Sequence, residues 1–267
     1  MSVAALSDTM TITYDDGAAT GLIQTRGVIG EGVAPATLTI SESDPFDLGT
    51  IAENGTTDHT FVVTHAGAVP ATSFVVNVGL TLPFQYKTSG TFPGSGGTCG
   101  STVSIGSTCT IVVSYDPTTT GTDTDTISLN YFDGVTTQPL TRDIEAEAVT
   151  AGDILISEAD PYNFGNVAIG GIAEHTFTLD NTGNVDVTSI TGSGLVPPYR
   201  FKGGVYPGVG GTCGVTITPA APPCDVVVTY EPSAGVTDLD TFDINFFDGA
   251  ASQTLSLIHI SEPTRPY

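Results

Sequence analysis

The stretch F-P-G-S-G-G-T-C-G, from Phe92 to Gly100, occurs a second time as Y-P-G-V-G-G-T-C-G, from Tyr206 to Gly214. In both places a second cysteine, a V-V-x-Y-x-P segment and an F-D-G turn follow in the same order. The two F-D-G turns end at Gly134 and Gly249, so the period is about 115 residues, which is long enough for a domain with a core of its own. The duplication therefore predicts tandem domains.

The repetition extends beyond the cysteines in both directions. I-S-E-S-D-P-F-D-L-G, which begins at Ile40, returns as I-S-E-A-D-P-Y-N-F-G, which begins at Ile156. A partial third copy opens the chain, because S-D-T-M-T-I-T-Y-D-D-G (Ser7 to Gly17) matches the segment that ends at Gly134. We therefore expect four regions: residues 1–36, the C-terminal strands of a truncated preceding repeat; residues 37–150, a complete repeat; residues 151–254, a second repeat that lacks its native last strand; and residues 255–267, a tail that resembles a translated sequencing adapter.

Charge and hydropathy exclude two classes of partner. The chain has 29 acidic and 6 basic residues, for a formal net charge of −23. Nucleic-acid binding requires a basic surface that neutralises phosphates, so we exclude nucleic-acid partners. No apolar run approaches the ~20 residues that a membrane-spanning helix needs, and we predict no membrane-spanning segment.

Short segments with alternating apolar and polar residues predict strands throughout both copies, with glycine and proline at the turns between them. The predicted strands are Thr37–Ser41, Thr60–Thr64, Ser73–Val78, Cys109–Tyr115, Asp125–Tyr131 and Arg142–Val149 in the first complete copy, and Ile154–Ser157, His175–Asp180, Asp186–Thr191, Asp225–Tyr230 and Asp240–Phe246 in the second. About seven strands in such a length are typical of a two-sheet antiparallel sandwich of immunoglobulin type. The predicted fold class is all-β: tandem immunoglobulin-like β-sandwiches, two near-complete copies and a partial N-terminal one.

Two series of residues resemble known families. F-G-N-V-A-I-G-G-I-A-E-H-T-F-T-L-D-N-T-G-N, from Phe164 to Asn184, resembles the opening of the hydin/ASH-type immunoglobulin-like domain. The series G-G-T-C-G, C-x-V-V-V-T-Y-x-P and F-D-G resembles the bacterial "choice-of-anchor D" version of that domain. The resemblance covers nearly all of residues 37–254, although T-H-A-G at Thr64 replaces the usual T-N-T-G turn in the first copy. It implies an immunoglobulin-like domain and, through the hydin likeness, a scaffold role of the kind found in ciliary proteins.

The four cysteines fall into two pairs, Cys99 with Cys109 and Cys213 with Cys224. Neither pair has C-x-x-C spacing, and no histidines follow at the spacing of zinc ligands, so a metal site is disfavoured. One disulfide in each copy is the favoured interpretation, and it indicates an oxidising compartment outside the cytoplasm. The alternative is a pair of buried free thiols in each copy.

Aspartates are the best candidates for binding a ligand. Calcium favours several carboxylate oxygens that converge from loops. The calcium candidates flank the penultimate predicted strand of each copy and are Asp123, Asp125, Asp133, Asp238, Asp240 and Asp248. No EF-hand signature is present, and aspartate is common in turns for structural reasons, which is the alternative interpretation.

Signatures of catalysis and of cofactor binding are missing from the sequence. It contains no G-x-S-x-G, H-E-x-x-H or G-K-[ST] motif, and we predict neither an enzyme nor a cofactor. The glycine-rich stretches lack the lysine of a phosphate loop, so we interpret them as disulfide-tethered structural loops. His59 and His175 occupy matching positions, and we interpret each as an outward-facing polar residue on a strand rather than as a metal ligand.

The leading hypothesis is a non-catalytic structural or adhesion module from a secreted or surface-anchored bacterial tandem repeat protein, located outside the cell or on its surface. It would act as a spacer, or bind a protein or glycan through edge strands or loops, with neighbouring repeats as its other partners. The linkers Val33–Ala36 and Val149–Gly152 are too short for free tumbling. Three alternatives remain: a calcium-dependent adhesin, a cytoplasmic hydin-like ciliary scaffold with free thiols, and accessory repeats of a larger extracellular enzyme.

Overall fold

The computed structural model of the chain describes residues 5–88 and 90–261, with side chains described as far as Ser256. These residues form strands joined by turns and loops, and they contain no helix. They divide into an N-terminal hairpin, a first domain (domain 1, residues 37–150) and a second domain (domain 2, residues 151–261). Residues 262–267 of the predicted tail lie outside the described residues.

The strands of the described residues are numbered in chain order. The N-terminal hairpin consists of β1 (Ala5–Tyr14) and β2 (Leu22–Glu31). Domain 1 contains β3 (Thr37–Ile40), β4 (Phe46–Ala52), β5 (Thr57–Ala66), β6 (Ala71–Val78), β7 (Phe84–Tyr86), β8 (Thr102–Val103), β9 (Thr108–Tyr115), β10 (Gly121–Phe132) and β11 (Thr137–Val149). Domain 2 contains β12 (Ile154–Ile156), β13 (Ala173–Asn181), β14 (Val187–Ser193), β15 (Tyr199–Phe201), β16 (Thr216–Ile217), β17 (Cys224–Tyr230), β18 (Leu239–Phe247) and β19 (Ser252–Ser261).

Domain 1 is a sandwich of two sheets around one core. One sheet has the order β3-β5-β9-β7 and the other the order β4-β11-β10-β6-β8. Alternation along β10 explains the packing: Ile127, Leu129 and Tyr131 are buried, while Ser128 and Asn130 lie on the opposite face and stay partly exposed. The buried residues of both sheets form a single hydrophobic cluster, as expected for sheets packed face to face.

Domain 2 repeats this architecture around a separate core. Its sheets have the orders β12-β13-β17-β15 and β16-β14-β18-β19, and the fully buried Phe177, Val226 and Ile244 belong to its own cluster. The described residues thus contain two immunoglobulin-like β-sandwiches, which confirms the predicted all-β fold class. Each predicted strand segment overlaps an observed strand, whereas the short strands β7, β8, β15 and β16 were too brief to show a period.

Strand β4 distinguishes the two domains. It runs parallel to β11, and its pairing extends from Ile144 to Val149. Domain 2 has no strand between β12 and β13 among the described residues. Strand β19 pairs with β18 from Ser252, opposite Phe247, to Ser261, opposite Leu239. Residues 255–261 of the predicted tail supply most of β19, and their origin in an adapter stays a prediction.

The N-terminal hairpin has the same register as the last hairpin of domain 1. Met10 lies opposite Arg26, just as Ile127 lies opposite Arg142. Met10 is nevertheless 51% exposed, whereas Ile127 is 0% exposed, because no second sheet covers the hairpin within the described residues. The match agrees with the expectation that residues 1–36 are the last strands of a repeat, and that expectation stays a prediction.

Candidate functional site

Each domain contains one disulfide. Cys99 is bonded to Cys109 and Cys213 to Cys224, with Cα atoms 4.8 Å apart in both pairs, so the predicted pairing is confirmed. The bonds attach the glycine-rich loops to β9 and β17. A Cβ at Gly94 would lie 2.2 Å from the carbonyl oxygen of Val112, so only glycine allows this loop to approach the strand so closely. The glycine-rich loop therefore has a structural role in this position.

Asp133 organises the turn between β10 and β11, which we call the entrance turn because the chain enters the domain beside it. Its Oδ1 accepts hydrogen bonds from the backbone N–H groups of Val135 and Thr136 at 2.7 Å each, and its Oδ2 accepts one from Gln138 at 2.9 Å. Its own carbonyl oxygen accepts a hydrogen bond from Ala36 N at 2.9 Å. One buried aspartate thus closes the last hairpin and anchors the first strand.

Asp248 forms the same arrangement in domain 2. Its Oδ1 accepts from Ala250 N and Ala251 N at 2.8 and 2.6 Å, and its Oδ2 accepts from Gln253 at 2.8 Å. Its carbonyl oxygen accepts from Gly152 N at 2.8 Å. Both Asp133 and Asp248 are buried, although an alternating strand pattern would not predict a buried acid.

These hydrogen bonds lower the pKa values of both entrance-turn aspartates. The backbone N–H groups of Thr136 and Val135, followed by Gln138, hold the pKa of Asp133 below its ordinary value of 3.8. Burial raises the pKa of Asp248, but the donors in its turn outweigh burial, and the net pKa is also lowered. Hydrogen bonds to the charged form of a carboxylate stabilise that form.

Asp123 and Asp238 accept hydrogen bonds from buried tyrosines. The hydroxyl of Tyr115 donates to Asp123 Oδ2 at 2.7 Å, and the hydroxyl of Tyr230 donates to Asp238 Oδ2 at 2.9 Å. Burial, and then the hydrogen bond to Asp123, raise the pKa of Tyr115 well above its ordinary value of 10.0. Sequence reasoning missed this pairing, although the eight-residue spacing between tyrosine and aspartate in both copies could have indicated it.

Asp125 and Asp240 attach a loop to the penultimate strand. Asp125 Oδ2 accepts from the backbone N–H of Thr81 at 2.7 Å and from its hydroxyl at 3.0 Å. In domain 2, Asp240 Oδ2 accepts from Val196 N at 2.7 Å. The hydrogen bond to the strand-connecting loop is therefore present in both domains.

The structure separates the predicted calcium candidates within each domain. Asp125 lies in the first half of β10 and Asp133 just after its end, eight residues later, so their backbones are about 25 Å apart on an extended strand. In residues 5–88 and 90–261, no group of three or more histidine, cysteine, aspartate or glutamate side chains could hold a metal ion. A calcium site at these residues stays a prediction.

His59 and His175 do not simply face outward as expected, because each packs on an aromatic ring of its own domain. The ring of His59 packs on Phe46 with centroids 4.1 Å apart, and the ring of His175 stacks on Tyr162 at 3.8 Å. His175 Nε2 lies 3.3 Å from Glu158 Oε1, and His59 Nε2 lies 3.7 Å from the corresponding oxygen of Glu42. Each histidine therefore connects β5 or β13 to the S-E-x-D-P turn.

Acidic residues beside the histidines form ion pairs. Asp58 pairs with Lys87 and Glu174 pairs with Lys202, both at 2.8 Å. Burial raises the pKa of Asp58, but hydrogen bonds from Lys87 and Ser114 outweigh burial and lower it overall. The pairs cross the same sheet at matching positions, so this charge pair is a property of the repeat.

Comparisons with known proteins give fold-level likenesses. No protein-family model matches the sequence, and no curated protein matches it. A protein of unknown function from Porphyromonas gingivalis W83 is 10% identical, with 86% of this chain and 100% of that chain covered and a TM-score of 0.32. The ASH/PapD-like domain 7 of human CEP192 is 17% identical, with 44% and 88% covered and a TM-score of 0.31. A titin fragment, I67–I69, is 10% identical, with 86% and 66% covered and a TM-score of 0.34.

These likenesses are too distant to carry an argument about function. The immunoglobulin-like fold is established here by the two sandwiches themselves. Within the part of the chain that the structure describes, no helix is long and apolar enough to cross a membrane.

The tyrosine hydroxyls of domain 1 allow a matched test of these hydrogen bonds. Tyr115→Phe removes a hydrogen bond to a carboxylate and should lower the free energy of unfolding of domain 1 by about 2 kcal/mol. The hydroxyl of Tyr86 has no partner among the described residues, and burial, then the charge of Asp125, raise its pKa to about 12. Tyr86→Phe should therefore leave the stability unchanged or raise it by up to about 1 kcal/mol. Urea unfolding of both variants measures the difference, and equal losses would contradict the assignment.

The lowered pKa of Asp248 predicts a pH dependence of stability. Because its folded pKa lies below the unfolded value, its contribution is full above the ordinary value of 3.8 and is lost as pH falls through the folded value. Asp248→Asn retains an acceptor for the turn but does not titrate, so the stability of domain 2 should fall less steeply with acidification in that window. Denaturant unfolding across that pH range measures the slopes. Asp186→Asn, in an exposed turn, is the control, and parallel curves for Asp248→Asn and the unchanged chain would contradict the expectation.

Calcium binding is tested by the thermal midpoint. The calcium hypothesis predicts that the midpoint rises with calcium and falls with a chelator. We expect no calcium-specific shift, because the candidate carboxylates already accept hydrogen bonds from their own domain. Sodium chloride at matched ionic strength is the necessary control, since any salt screens repulsion in a chain of formal charge −23. A rise specific to calcium would support a calcium site at these residues.

Proposed function

We propose that this chain is a non-catalytic structural or adhesion module of a secreted or surface-anchored bacterial tandem repeat protein. The observation that carries the proposal is the repetition of one set of structural hydrogen bonds in both domains. Asp133 and Asp248 close the entrance turns, and Asp123 and Asp238 accept from buried tyrosines. The polar side chains best suited to chemistry therefore stabilise their own domain.

The spacer role follows from the independence of the two cores and from the short connection between them. Each domain has its own hydrophobic cluster and its own disulfide. Only residues 150–153 separate β11 from β12. A chain built in this way holds its ends at a distance fixed by the number of domains, which suits a surface stalk.

The proposed location outside the cell is supported by the disulfides and by the charge. Structural disulfides persist in oxidising compartments and are rare in the cytoplasm. The described lysine and arginine side chains of the two domains, at residues 87, 142, 200 and 202, all pair with carboxylates, so the excess acid remains on the surface. The sequence resemblance to the bacterial choice-of-anchor D repeat supports a bacterial repeat protein, whereas the hydin/ASH resemblance is the basis of the cytoplasmic alternative.

A protein or glycan partner would meet the module at its sheet edges or end loops. Strands β3 and β7 border one sheet of domain 1, and β12 and β15 border the matching sheet of domain 2. An extended peptide can add to such an edge through its backbone. The acidic surface favours basic or neutral partners. Accessory repeats of an extracellular enzyme would use the same surfaces.

The redox state of the cysteines tests the proposal. Chain produced in an oxidising compartment should take up no alkylating agent before reduction and four equivalents after it, one for each cysteine. Reduction should lower the free energy of unfolding of each domain by about 3 kcal/mol, because it reopens a loop of this length in the unfolded chain. Mass spectrometry counts the alkyl groups, and urea unfolding measures the loss.

A double variant provides the control for that experiment. Replacement of Cys99 and Cys109 by serine should make domain 1 insensitive to reductant while domain 2 keeps its response. A reduced chain as stable as the oxidised chain would contradict the proposal. It would instead favour the cytoplasmic scaffold, in which free thiols are the normal state.

A further inference from the structure

Domain 1 and domain 2 approach each other closely where Ala52 and Gly55 of the first lie beside Gly249 of the second. A Cβ at Gly249, in the entrance turn of domain 2, would lie 3.2 Å from Ala52 Cβ in domain 1. A Cβ at Gly55 would lie 3.1 Å from the carbonyl oxygen of Gly249. The loop Ala52–Gly55, which we call the exit loop of domain 1, therefore rests against the next entrance turn.

The linker between the domains is held from both sides. The carbonyl oxygen of Val149 accepts from Glu53 N of the exit loop at 2.8 Å. Thr150 O accepts from Asn184 N at 3.3 Å, and Gly152 N donates to Asp248 O at 2.8 Å, which fixes the linker to domain 2. Hydrogen bonds at Val149, Thr150 and Gly152 leave this linker little freedom, and they continue from one domain into the other.

The same linker geometry precedes domain 1. Ala34 O accepts from Ala68 N at 3.0 Å, and Ala36 N donates to Asp133 O at 2.9 Å. These two hydrogen bonds correspond to those that Thr150 and Gly152 make in domain 2. The chain thus enters both domains in the same way, although only domain 2 is preceded by a complete domain.

Domain 2 has an exit loop of its own, Ala168–Gly171, with the same internal hydrogen bonds. Gly171 N donates to Ala168 O at 2.7 Å, and Gly55 N donates to Ala52 O at 3.0 Å. Gly170 N donates to the carbonyl oxygen of Pro232 at 2.9 Å. In domain 1, Asn54 N donates to the carbonyl oxygen of Pro117 at 2.7 Å. The two exit loops therefore make the same backbone hydrogen bonds.

Burial differs between these matched positions. Ala52 is buried, whereas Ala168 is exposed. Gly249 is partly buried, whereas Gly134 at the corresponding place in domain 1 is exposed. Each uncovered half exposes an apolar side chain: Ile169 is 65% exposed in the exit loop of domain 2, and Val135 is 68% exposed in the entrance turn of domain 1. The uncovered halves share the backbone hydrogen bonds of the covered ones, although Ala52 also ends β4, a strand without a counterpart beside Ala168.

The geometry points to a head-to-tail interface between repeats, in which the exit loop of one repeat binds the entrance turn of the next. Among the described residues this interface is occupied once, where Ala52 and Gly55 meet Gly249. The exit loop of domain 2 and the entrance turn of domain 1 are its two open halves, and each fits a further copy of this repeat. A heterologous interface of this kind propagates without closing, and it makes an array a rod of fixed step. The inference rests on the proposed spacer function and names the partner and its site.

A small contact suffices for this interface because the linker keeps its two halves together. Tethering by a few residues gives a high effective concentration, so a contact too weak to form between separate chains is populated within one chain. The small residues Ala52, Gly55 and Gly249 allow the two backbones to approach, and a larger side chain at any of them would separate the domains.

Two matched pairs of glycine variants in the full chain test the joint. Gly249→Ala and Gly134→Ala carry the same local strain, because φ is +96° and +98° and the new Cβ would meet Val185 at 2.8 Å and Val69 at 2.9 Å. Only Gly249→Ala also meets the preceding domain. Likewise Gly55→Ala and Gly171→Ala both place a Cβ 2.9 Å from a carbonyl oxygen of their own exit loop, but only Gly55→Ala meets Gly249.

Residual dipolar couplings of the amide groups measure whether the two domains align as one body. In the unchanged chain, and in Gly134→Ala and Gly171→Ala, both domains should give the same alignment tensor. In Gly249→Ala and Gly55→Ala the tensors should differ in orientation and magnitude. Different tensors in the unchanged chain would overturn the inference, and so would equal effects within each pair.

Ala52→Leu provides a variant without strain from a positive φ, should a glycine variant fail to fold. It should separate the tensors of the two domains, while Ala168→Leu should leave them equal. Intact disulfides together with independent tensors would refute the interface and leave the proposed function standing. Equal tensors together with a stability that does not depend on the disulfides would refute the extracellular module and leave the interface standing.

The open half at domain 1 is tested by supplying its partner. In an extended chain, a second copy of residues 37–150 replaces residues 1–34 and joins domain 1 through Pro35. The inference predicts that Gly134→Ala, silent in the original chain, now separates the alignment of the added copy from that of domain 1. A Gly134→Ala variant that stays silent in the extended chain would show that the entrance turn of domain 1 takes no such neighbour.

Discussion

The buried carboxylate in the entrance turn is the interaction on which each domain depends. Asp133 and Asp248 accept two backbone hydrogen bonds and one side-chain hydrogen bond, and their carbonyl oxygens hold the first residues of the domain. The turn therefore joins the last hairpin of the domain to its beginning, across nearly the whole repeat. Asp16 makes the same two backbone hydrogen bonds in the N-terminal hairpin, so the turn forms even without a sandwich around it.

Comparison of the two domains shows which features of the repeat are constrained. Tyr86 packs edge-on against Phe92 in domain 1, and the corresponding pair in domain 2 is Phe201 and Tyr206, with ring centroids 5.7 Å apart in both. The tyrosine is therefore the first ring of the pair in domain 1 and the second in domain 2, while the ring packing is unchanged. The glycine approach, the disulfide and the ion pair across the sheet also recur. Shape and charge sign are therefore conserved within the molecule more strictly than residue identity, as expected for a close-packed core.

Much of the fold could be predicted because it follows from local patterns. Alternation along β10 and β18 reports which side chains face the core, and the cysteine pairs lie close enough in sequence to form a disulfide within each copy. Strand β4 could not be predicted, because its alternation is interrupted at Gly49, where φ is +91°, and its partner β11 lies about a hundred residues later in the chain. The calcium candidates are close together in sequence, but the extended strand β10 holds Asp125 and Asp133 far apart in space.

The sequence by itself determined that the chain is a duplicated all-β array with paired cysteines, because repetition, strand alternation and turn residues are properties of short segments. Only the tertiary structure decided what the polar residues do, since the partner of Asp123 is a tyrosine on the opposite sheet and that of Gly249 is an alanine in another domain. Contacts of this kind depend on how sheets and domains pack: Tyr115 and Asp123 are eight residues apart in sequence but lie on opposite sheets, and Ala52 and Gly249 are far apart in the chain. The structure shows that Asp123, Asp133 and Asp248 accept hydrogen bonds within their own domains. It also shows that Gly55 and Gly249 lie where two backbones approach each other closely.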